Sequence, residues 1–129
     1  MSKFMYKKIL AVSVLSIYGF SPIISYAAES KIEAFKVPFH VGERVMACGN
    51  LAEIKHLSNR HYLNLDKKYP NQTLTLLVWD SDYRWFEERF GNIDGFVGRR
   101  FCARGRIEEY KNNMQIKVTN PQFLRLMHQ

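Results

Sequence analysis

The chain has 129 residues, with 19 Lys or Arg side chains against 12 Asp or Glu and a formal net charge of +7. This length supports one domain with a modest core rather than several domains. The basic balance suits a polyanionic ligand or an acidic surface, although many exported proteins have such a balance without using it.

The first 27 residues have the layout of a cleavable secretory signal peptide. MSKFMYKK gives a positively charged start, residues 9–24 form an apolar run, and Ser25-Tyr26-Ala27 supplies a small-x-small exit. A retained transmembrane helix is the alternative, but the run is at the short limit for a bilayer, and Gly19 and Pro22 interrupt it. We therefore expect cleavage after Ala27 and an exported product, either periplasmic or secreted.

Residues 28–129 hold 16 basic and 12 acidic side chains, a net charge of +4, because three of the lysines lie in the signal. Both cysteines, Cys48 and Cys102, lie in this part. An even pair in a small exported domain predicts a disulfide. A metal site or a cysteine nucleophile would need partners at characteristic spacing, and the four histidines are scattered. We expect no metal and no cofactor.

The first three predicted elements after residue 43 are strands. Residues 44–54 alternate, with Val45, Ala47 and Leu51 on the core face, and Gly49 indicates a bulge or a sharp bend in the strand. YLNLD (62–66) is the second strand, and the third, TLTLLVW (73–79), presents Leu74, Leu76 and Val78 on one face. Residues 28–43 form a segment that we expect to cover one end of the domain over 44–129.

A helix and two more strands follow. Asp80, Ser81 and Asp82 are candidate N-cap groups, Gly91 is the stop, and Tyr83, Phe86 and Phe90 make one apolar face. Residues 99–110 and 114–118 are the fourth and fifth strands, joined by the tight turn KNN, and the C-terminal residues suggest a short helix. Three strands, a helix and two strands predict an all-β fold, the five-stranded OB-fold barrel. Strands one and four pair in that barrel, and both cysteines fall in their outward phase.

Four blocks carry a resemblance to a known group of proteins: ACGNLAEI, YLNLDKKYPNQTLTLLVW, FCARGRIEEY with its Gly105, and IKVTNPQFL. They span about residues 44–124, and there the chain resembles the small exported OB-fold proteins of bacteria, relatives of anticodon-binding and single-strand-binding OB domains. The resemblance implies the architecture more strongly than the ligand, because OB barrels bind nucleic acids, oligosaccharides and proteins.

OB domains bind extended ligands across strands two and three, between the loops that join strands one to two and four to five. Aromatic faces bordered by cations suit single-stranded nucleic acid, because bases stack on the rings while Lys and Arg neutralise phosphates. The residues of this kind are Lys55, Arg60, Tyr62, Asn64, Leu77, Trp79, Trp85, Tyr110, Lys111, Gln115 and Lys117.

Each aromatic residue in this set also has a purely structural interpretation. Trp79 could be covered by the helix or by the N-terminal segment, and Tyr62 could enter the core if its strand is shifted by one residue. Tyr110 could be a packing lid, and Trp85 could contact the loop around Phe96.

The predicted function is a non-catalytic periplasmic OB-fold protein that binds single-stranded nucleic acid or another polyanion. The alternative is an envelope module that binds a protein or a glycan. An enzyme is not expected: a thermonuclease-like site would need carboxylates and arginines converging on a phosphate, but Asp80 and Asp82 are better explained as capping groups. No glycine-rich phosphate loop and no paired base at triad spacing is present in the sequence.

Overall fold

A computed structural model describes residues 29–128, and the predicted signal peptide, residues 1–27, lies outside the described residues. The described part contains eight strands: β1 (Ser30–Glu33), β2 (Arg44–His56), β3 (Arg60–Leu65), β4 (Leu74–Trp79), β5 (Arg100–Arg106), β6 (Glu108–Tyr110), β7 (Asn113–Lys117) and β8 (Leu124–Leu126). The α-helix is α1 (Asp80–Phe90), and three 3-10 segments cover Ala34–His40, Ile93–Phe96 and Pro121–Phe123. None of the helices within residues 29–128 is both long enough and apolar enough to cross a membrane.

All eight strands join one sheet in the order β6-β7-β4-β3-β2-β5-β8, with β1 added beside β2. The long strand β2 pairs antiparallel with β5 through its first half and with β3 through its second half. β1 runs parallel to the first half of β2. Strand β2 therefore belongs to two regions of the sheet, β1–β2–β5–β8 and β2–β3–β4–β7–β6.

The five predicted strands and the helix are present, but the prediction of a five-stranded barrel was wrong in strand number, and the sheet does not close into a barrel. Three short strands add to the five, and the hydrogen-bonded order ends at β6 and β8 without joining them. The predicted strand 99–110 divides at Ile107, whose N–H donates to the Glu43 carbonyl and whose carbonyl accepts from the Gly42 N–H. Because Ile107 bonds to the loop before β2, β5 stays on β2 while β6 pairs with β7.

The two chain ends of the described part also differ from a simple barrel. The segment before residue 44 contributes β1 and a 3-10 segment whose Ala34 and Val37 are fully buried in the core. The C-terminal residues, predicted as a short helix, form one 3-10 turn and then β8, which pairs with β5. Burial of Leu124 holds this last strand against the domain.

The register of β2 shifts between Leu51 and Glu53, so a bulge occupies this point of the strand. Sequence alternation had suggested a bulge or bend at Gly49, two residues earlier than the shift begins. Gly49 is required for a different reason: a Cβ there would lie 2.8 Å from Asp66 Oδ1 and 3.2 Å from Leu65 Cβ. The glycine lets β2 and the end of β3 approach closely, and the bulge bends the strand just beyond.

The helix α1 ends as predicted and begins differently. Gly91 follows it with a φ of 74°, a conformation that favours glycine, and Tyr83 and Phe86 are buried against the core. The N-cap residue is Trp79, and no side chain caps the helix, so the prediction of an N-cap from Asp80, Ser81 or Asp82 was wrong. Asp80 is instead within 2.8 Å of the His61 ring.

The predicted disulfide between Cys48 and Cys102 is confirmed. The two residues are directly opposite in the β2–β5 register, with 4.0 Å between their Cα atoms. The cross-strand row continues to Glu33 on β1 and to Arg125 on β8. These outer strands explain why both cysteines are buried although they point away from the core face.

We expect loss of the disulfide to lower the free energy of unfolding by about 2–4 kcal/mol, because the bond restricts the unfolded chain. The double variant Cys48→Ala/Cys102→Ala should show this loss in urea unfolding monitored by circular dichroism. A thiol reductant should destabilise the parent protein by a similar amount and leave the double variant unchanged. Equal stability of the two proteins in the absence of reductant would contradict the prediction.

A second prediction concerns Gly105 on β5, which packs closely against Ile116 of β7. A Cβ at Gly105 would lie 2.5 Å from Ile116 Cγ2, and a β-branched side chain in the core has little freedom to move. We expect Gly105→Ala to cost about 1–3 kcal/mol of stability in the same unfolding measurement. Gly95→Ala is the matched control, because nothing lies within 4 Å of its added Cβ. A destabilisation no larger than that of the control would contradict the close approach.

Candidate nucleic-acid interface

One groove crosses the outer face of β3 and β4. Its larger part has a volume of about 480 Å³ and is lined by the end of β2, by β3, by the β3–β4 loop and by the β6–β7 hairpin. A shallower part of about 200 Å³ continues along β4 and β7. The two parts share Arg60, Tyr62, Tyr110 and Gln115, so we treat them as one surface, called the groove below.

The structure brings ten of the eleven predicted site residues to the groove. These are Lys55, Arg60, Tyr62, Asn64, Leu77, Trp79, Tyr110, Lys111, Gln115 and Lys117. Trp85 does not belong to this surface: it lies on α1, 44% exposed, with the Arg84 guanidinium 4.6 Å from its ring centroid. Because Tyr83 and Phe86 turn into the core, Trp85 is left on the solvent side of the helix. That the ten residues contact a ligand stays a prediction.

Strand register arranges the groove side chains in two rows. The first row runs Glu53, Asn64, Thr75 and Gln115, and the second runs Lys55, Tyr62, Leu77 and Lys117. Neighbouring strands lie about 4.8 Å apart, so each row is a line of side chains across four strands. One row is polar and the other places an aromatic and an apolar side chain between two lysines.

The structure decides between the interpretations of the aromatic residues. Tyr62 faces outward, and the Arg60 Nε donates to its hydroxyl at 2.6 Å, so the shifted register that would bury it is wrong. Trp79 is 36% exposed and Tyr110 is 55% exposed, so neither side chain is fully covered. Leu77 faces the groove but is only 5% exposed, because it lies between Tyr62 and Lys117 in its row.

Cations border the aromatic rings. The Arg60 guanidinium lies 5.5 Å from the Tyr62 ring centroid, and the Lys111 ammonium lies 5.3 Å from that of Tyr110. Four of the residues that line the groove are Lys or Arg. The acidic side chains beside them are Glu53, hydrogen-bonded within the floor, and Glu108, 3.8 Å from the Lys117 ammonium. The surface therefore combines flat apolar faces with positive charge.

A hydrogen-bonded network forms the floor of the groove. Thr75 Oγ1 donates to Asn64 Oδ1 at 2.7 Å, and Asn64 Nδ2 donates to Glu53 Oε2 at 2.9 Å. The Tyr69 N–H donates to the same Glu53 oxygen at 2.7 Å and ties the β3–β4 loop to β2. Gln72 Nε2 donates to Thr75 Oγ1 at 3.2 Å, while its Oε1 is buried without a partner in the described part of the chain. Asn64 and Thr75 are almost fully buried, so these side chains fix the groove's shape.

Sequence reasoning missed Glu53, Tyr69 and Gln72. The bulge between Leu51 and Glu53 exchanges the two faces of β2, so simple alternation gave no sign that Glu53 would reach this floor. Tyr69 and Gln72 lie in the β3–β4 loop, whose path depends on the contact with Glu53. One sequence feature could have identified Tyr69: it is an aromatic residue in the loop that joins two strands of the expected binding face.

The Glu53 carboxylate contributes to stability in a pH-dependent manner. Burial disfavours its charged form, but the Tyr69 N–H, the Asn64 amide, Lys55 and Lys68 together hold the pKa of Glu53 below its ordinary value. A lowered pKa in the folded state means that the contribution is present above the ordinary value of 4.5 and is lost as the pH falls through the folded value.

We expect Glu53→Gln to lower the free energy of unfolding by about 1 kcal/mol at neutral pH, because a charged acceptor becomes neutral. The difference in free energy of unfolding between the parent protein and the variant should shrink as the pH falls below 4.5. Urea unfolding at a series of pH values would measure this trend. Glu88→Gln, at an exposed position on α1, is the control and should show no such trend. A difference that grows in acid would contradict the assignment.

Comparisons with known proteins give the fold and no family. No family model matches the chain, and no curated protein matches it either. Among solved structures, it is similar to a chain described as an aspartyl-tRNA synthetase from Leishmania major (10% identity, TM-score 0.53), over 88% of this chain and 25% of that one. It is also similar to the S. pombe Stn1–Ten1 complex (15% identity, TM-score 0.50), over 71% of this chain and 68% of that one. A third likeness is to an OBody bound to hen egg-white lysozyme (8% identity, TM-score 0.54), over 84% of this chain and 99% of that one.

This chain spans only about a quarter of the length of the synthetase that it matches. At identities this low, the likenesses concern the fold alone. The described residues form a mostly β domain with one short helix, and that domain has the OB fold.

Proposed function

We propose that the protein binds single-stranded nucleic acid in the groove and catalyses no reaction there. The observation that carries the proposal is the pairing of outward-facing aromatic rings with cations along one continuous surface. Tyr62 lies beside Arg60, and Tyr110 lies beside Lys111. The carboxylate of the groove floor, Glu53, is already held by hydrogen bonds from Asn64 and the Tyr69 N–H. Another polyanion would use the cations but would gain little from the rings.

Each kind of side chain has a distinct part in this binding. The ring faces of Tyr62, Trp79 and Tyr110 offer places on which bases stack, a contact of about 1–3 kcal/mol for each base. The ammonium and guanidinium groups neutralise phosphates and release counterions, so they supply affinity that falls as salt rises. Glu53 accepts two hydrogen bonds inside the floor, and this structural role leaves it poorly placed as a catalytic base.

The fold and the chain's other features support the proposal and its location. One structural likeness is to a protein named as an aspartyl-tRNA synthetase, and that name refers to an RNA.

We further propose that the protein works in the periplasm or outside a bacterial cell. The signal-peptide pattern of residues 1–27 supports this, as does the Cys48–Cys102 disulfide, because disulfides persist in oxidising compartments.

A second candidate function is the binding of an envelope protein or a glycan. Phe35 and Phe39, on the 3-10 segment Ala34–His40, are 60% and 80% exposed, and exposed aromatic side chains suit such partners. The OBody likeness supports a protein partner, since that OB-fold protein is bound to lysozyme. This alternative predicts contacts outside the groove and binding that depends little on salt.

Titration of a labelled oligothymidylate with the purified protein, followed by fluorescence anisotropy, tests the proposal. We expect Tyr62→Ala to weaken binding by about 5-fold to 150-fold, the loss of one stacked base. Phe35→Ala removes an exposed aromatic ring outside the groove and should leave the affinity unchanged. The proposal fails if no binding is seen at low salt, or if the two variants weaken binding equally.

The salt dependence is a separate prediction. Between about 50 mM and about 200 mM salt, the logarithm of the association constant should fall linearly with the logarithm of the salt concentration. The slope should be about −0.7 for each phosphate of a single strand that the protein neutralises. Lys117→Ala should make the slope shallower by about that amount, whereas Lys36→Ala, at an exposed position outside the groove, should not. Identical slopes for the two variants would exclude Lys117 from phosphate contact.

A further inference from the structure

Two histidines and two aspartates form a hydrogen-bonded chain at one end of the groove. His56 on β2 and His61 on β3 are opposite each other in register, and their Nδ1 atoms lie 2.7 Å apart. His56 Nε2 is 3.0 Å from Asp94 Oδ1, and His61 Nε2 is 2.8 Å from Asp80 Oδ1. We call His56 and His61 the histidine pair.

The contacts fix how many protons the histidine pair holds. Both Nε2 atoms face carboxylates and must carry a proton to donate one. The Nδ1–Nδ1 contact is an N–H···N hydrogen bond, which uses one proton for the two nitrogens. Satisfying all three contacts as hydrogen bonds takes three protons on the two rings, which corresponds to a charge of +1 on the pair between two carboxylates.

Other proton counts do not fit this geometry. With only two protons on the two rings, either the two Nδ1 lone pairs would face each other, or one Nε2 lone pair would face a carboxylate oxygen. With four, two N–H groups would point at each other across 2.7 Å. A tetrahedral metal in place of the shared proton would need about 3.3 Å between the nitrogens. No group of three or more His, Cys, Asp or Glu within residues 29–128 is arranged to hold a metal ion.

The surroundings make the two rings unequal. His61 is 7% exposed and stacks on Tyr83 of α1, with 3.7 Å between ring centroids. The side chain of His56 is 41% exposed. Burial, with Asp94 and Glu87 nearby, raises the pKa of Tyr83 to about 12, so its hydroxyl stays neutral at physiological pH. The charged groups that face the pair are thus Asp80 from α1 and Asp94 from the 3-10 segment Ile93–Phe96.

His56 also belongs to the groove. It lines the larger part of the groove between Lys55 and Leu57, near Arg60. If a fourth proton enters the pair, the N–H···N bond is lost and the more exposed ring, His56, separates as an imidazolium. The groove then gains one positive charge at the end where two cations already lie.

We propose that the histidine pair is a proton-operated switch that strengthens polyanion binding in the groove under mildly acidic conditions. The inference rests on the proposed function, because it concerns the regulation of the same surface. Imidazoles are the side chains that ordinarily change charge near pH 6.5, whereas phosphodiesters, Lys and Arg keep their charges there. Oligothymidylate has no base that titrates in this range, so a pH effect on its binding reports on the protein.

The first test measures oligothymidylate affinity at about pH 7.5 and about pH 5.5. We expect the parent protein to bind about threefold to tenfold tighter in acid, the gain from one more phosphate contact. His56→Gln should reduce this change to less than about twofold, because glutamine cannot take up a proton. His40→Gln is the matched control: His40 also contacts a carboxylate, Glu43 at 3.2 Å, but lies outside the groove, so this variant should keep the full change. Full pH dependence in His56→Gln would overturn the proposal.

The second test needs neither a ligand nor a variant. Nitrogen-15 NMR of the imidazoles in the parent protein should show three protons shared by the two rings near neutral pH. It should then show loss of the Nδ1–H···Nδ1 hydrogen bond in acid, with both Nδ1 atoms protonated as the rings separate. Two rings that titrate independently would overturn the proposal. If no oligonucleotide binds at either pH, the proposed function fails and the switch loses its role there, whereas the NMR titration still reports whether the pair takes up the proton.

Discussion

The register shift in β2 is the constraint on which the arrangement of the domain depends. Before it, Val45, Ala47 and Leu51 point into the core; after it, Ile54 packs against the core while Glu53 and Lys55 face the groove. The same strand pairs with β1 and β5 on one side of the shift and with β3 on the other. A regular strand of this length would present one unbroken apolar face, and Glu53 could not reach Asn64 at the floor.

The groove combines a rigid floor with adaptable walls. Asn64 and Thr75 are nearly buried and hydrogen-bonded to each other, so the floor has one arrangement. Lys111 and Tyr110 lie on a hairpin turn with positive φ at Lys111 and Asn112, and their side chains are exposed. A ligand would therefore meet a floor that is already fixed, which lowers the entropic cost of binding, and edge side chains that can adjust to its shape.

Much of the fold could be predicted because its causes are local. Alternation in residues 74–79 identified β4, the apolar spacing from Tyr83 to Phe90 identified α1, and the cysteine pair fitted the expected strand pairing. The positions of ten groove residues followed from that topology, because residues two apart on a strand share a face. Trp85 is exposed, as its position off the apolar face of α1 predicts, but it lies apart from the groove because the exposed side of a helix that follows β4 faces away from the sheet.

What could not be predicted depends on contacts between distant residues. The division of the fourth strand at Ile107 is set by hydrogen bonds to Gly42 and Glu43, more than 60 positions earlier in the chain. The histidine pair looked scattered because His56 and His61 meet only through the hairpin, and Asp94 arrives from beyond the helix. No local propensity reports such contacts, because they depend on how complete elements pack.

The floor network has a consequence for what the groove can distinguish. Hydrogen bonds among Glu53, Asn64, Thr75 and the Tyr69 N–H already use most of the floor's donors and acceptors, and the Gln72 carbonyl oxygen is the buried acceptor left without a partner. The edges of bases, where one nucleotide differs from another, would find few matching groups, while their flat faces would find rings on which to stack. On the proposed function, such a surface would distinguish single-stranded from paired nucleic acid rather than one base sequence from another.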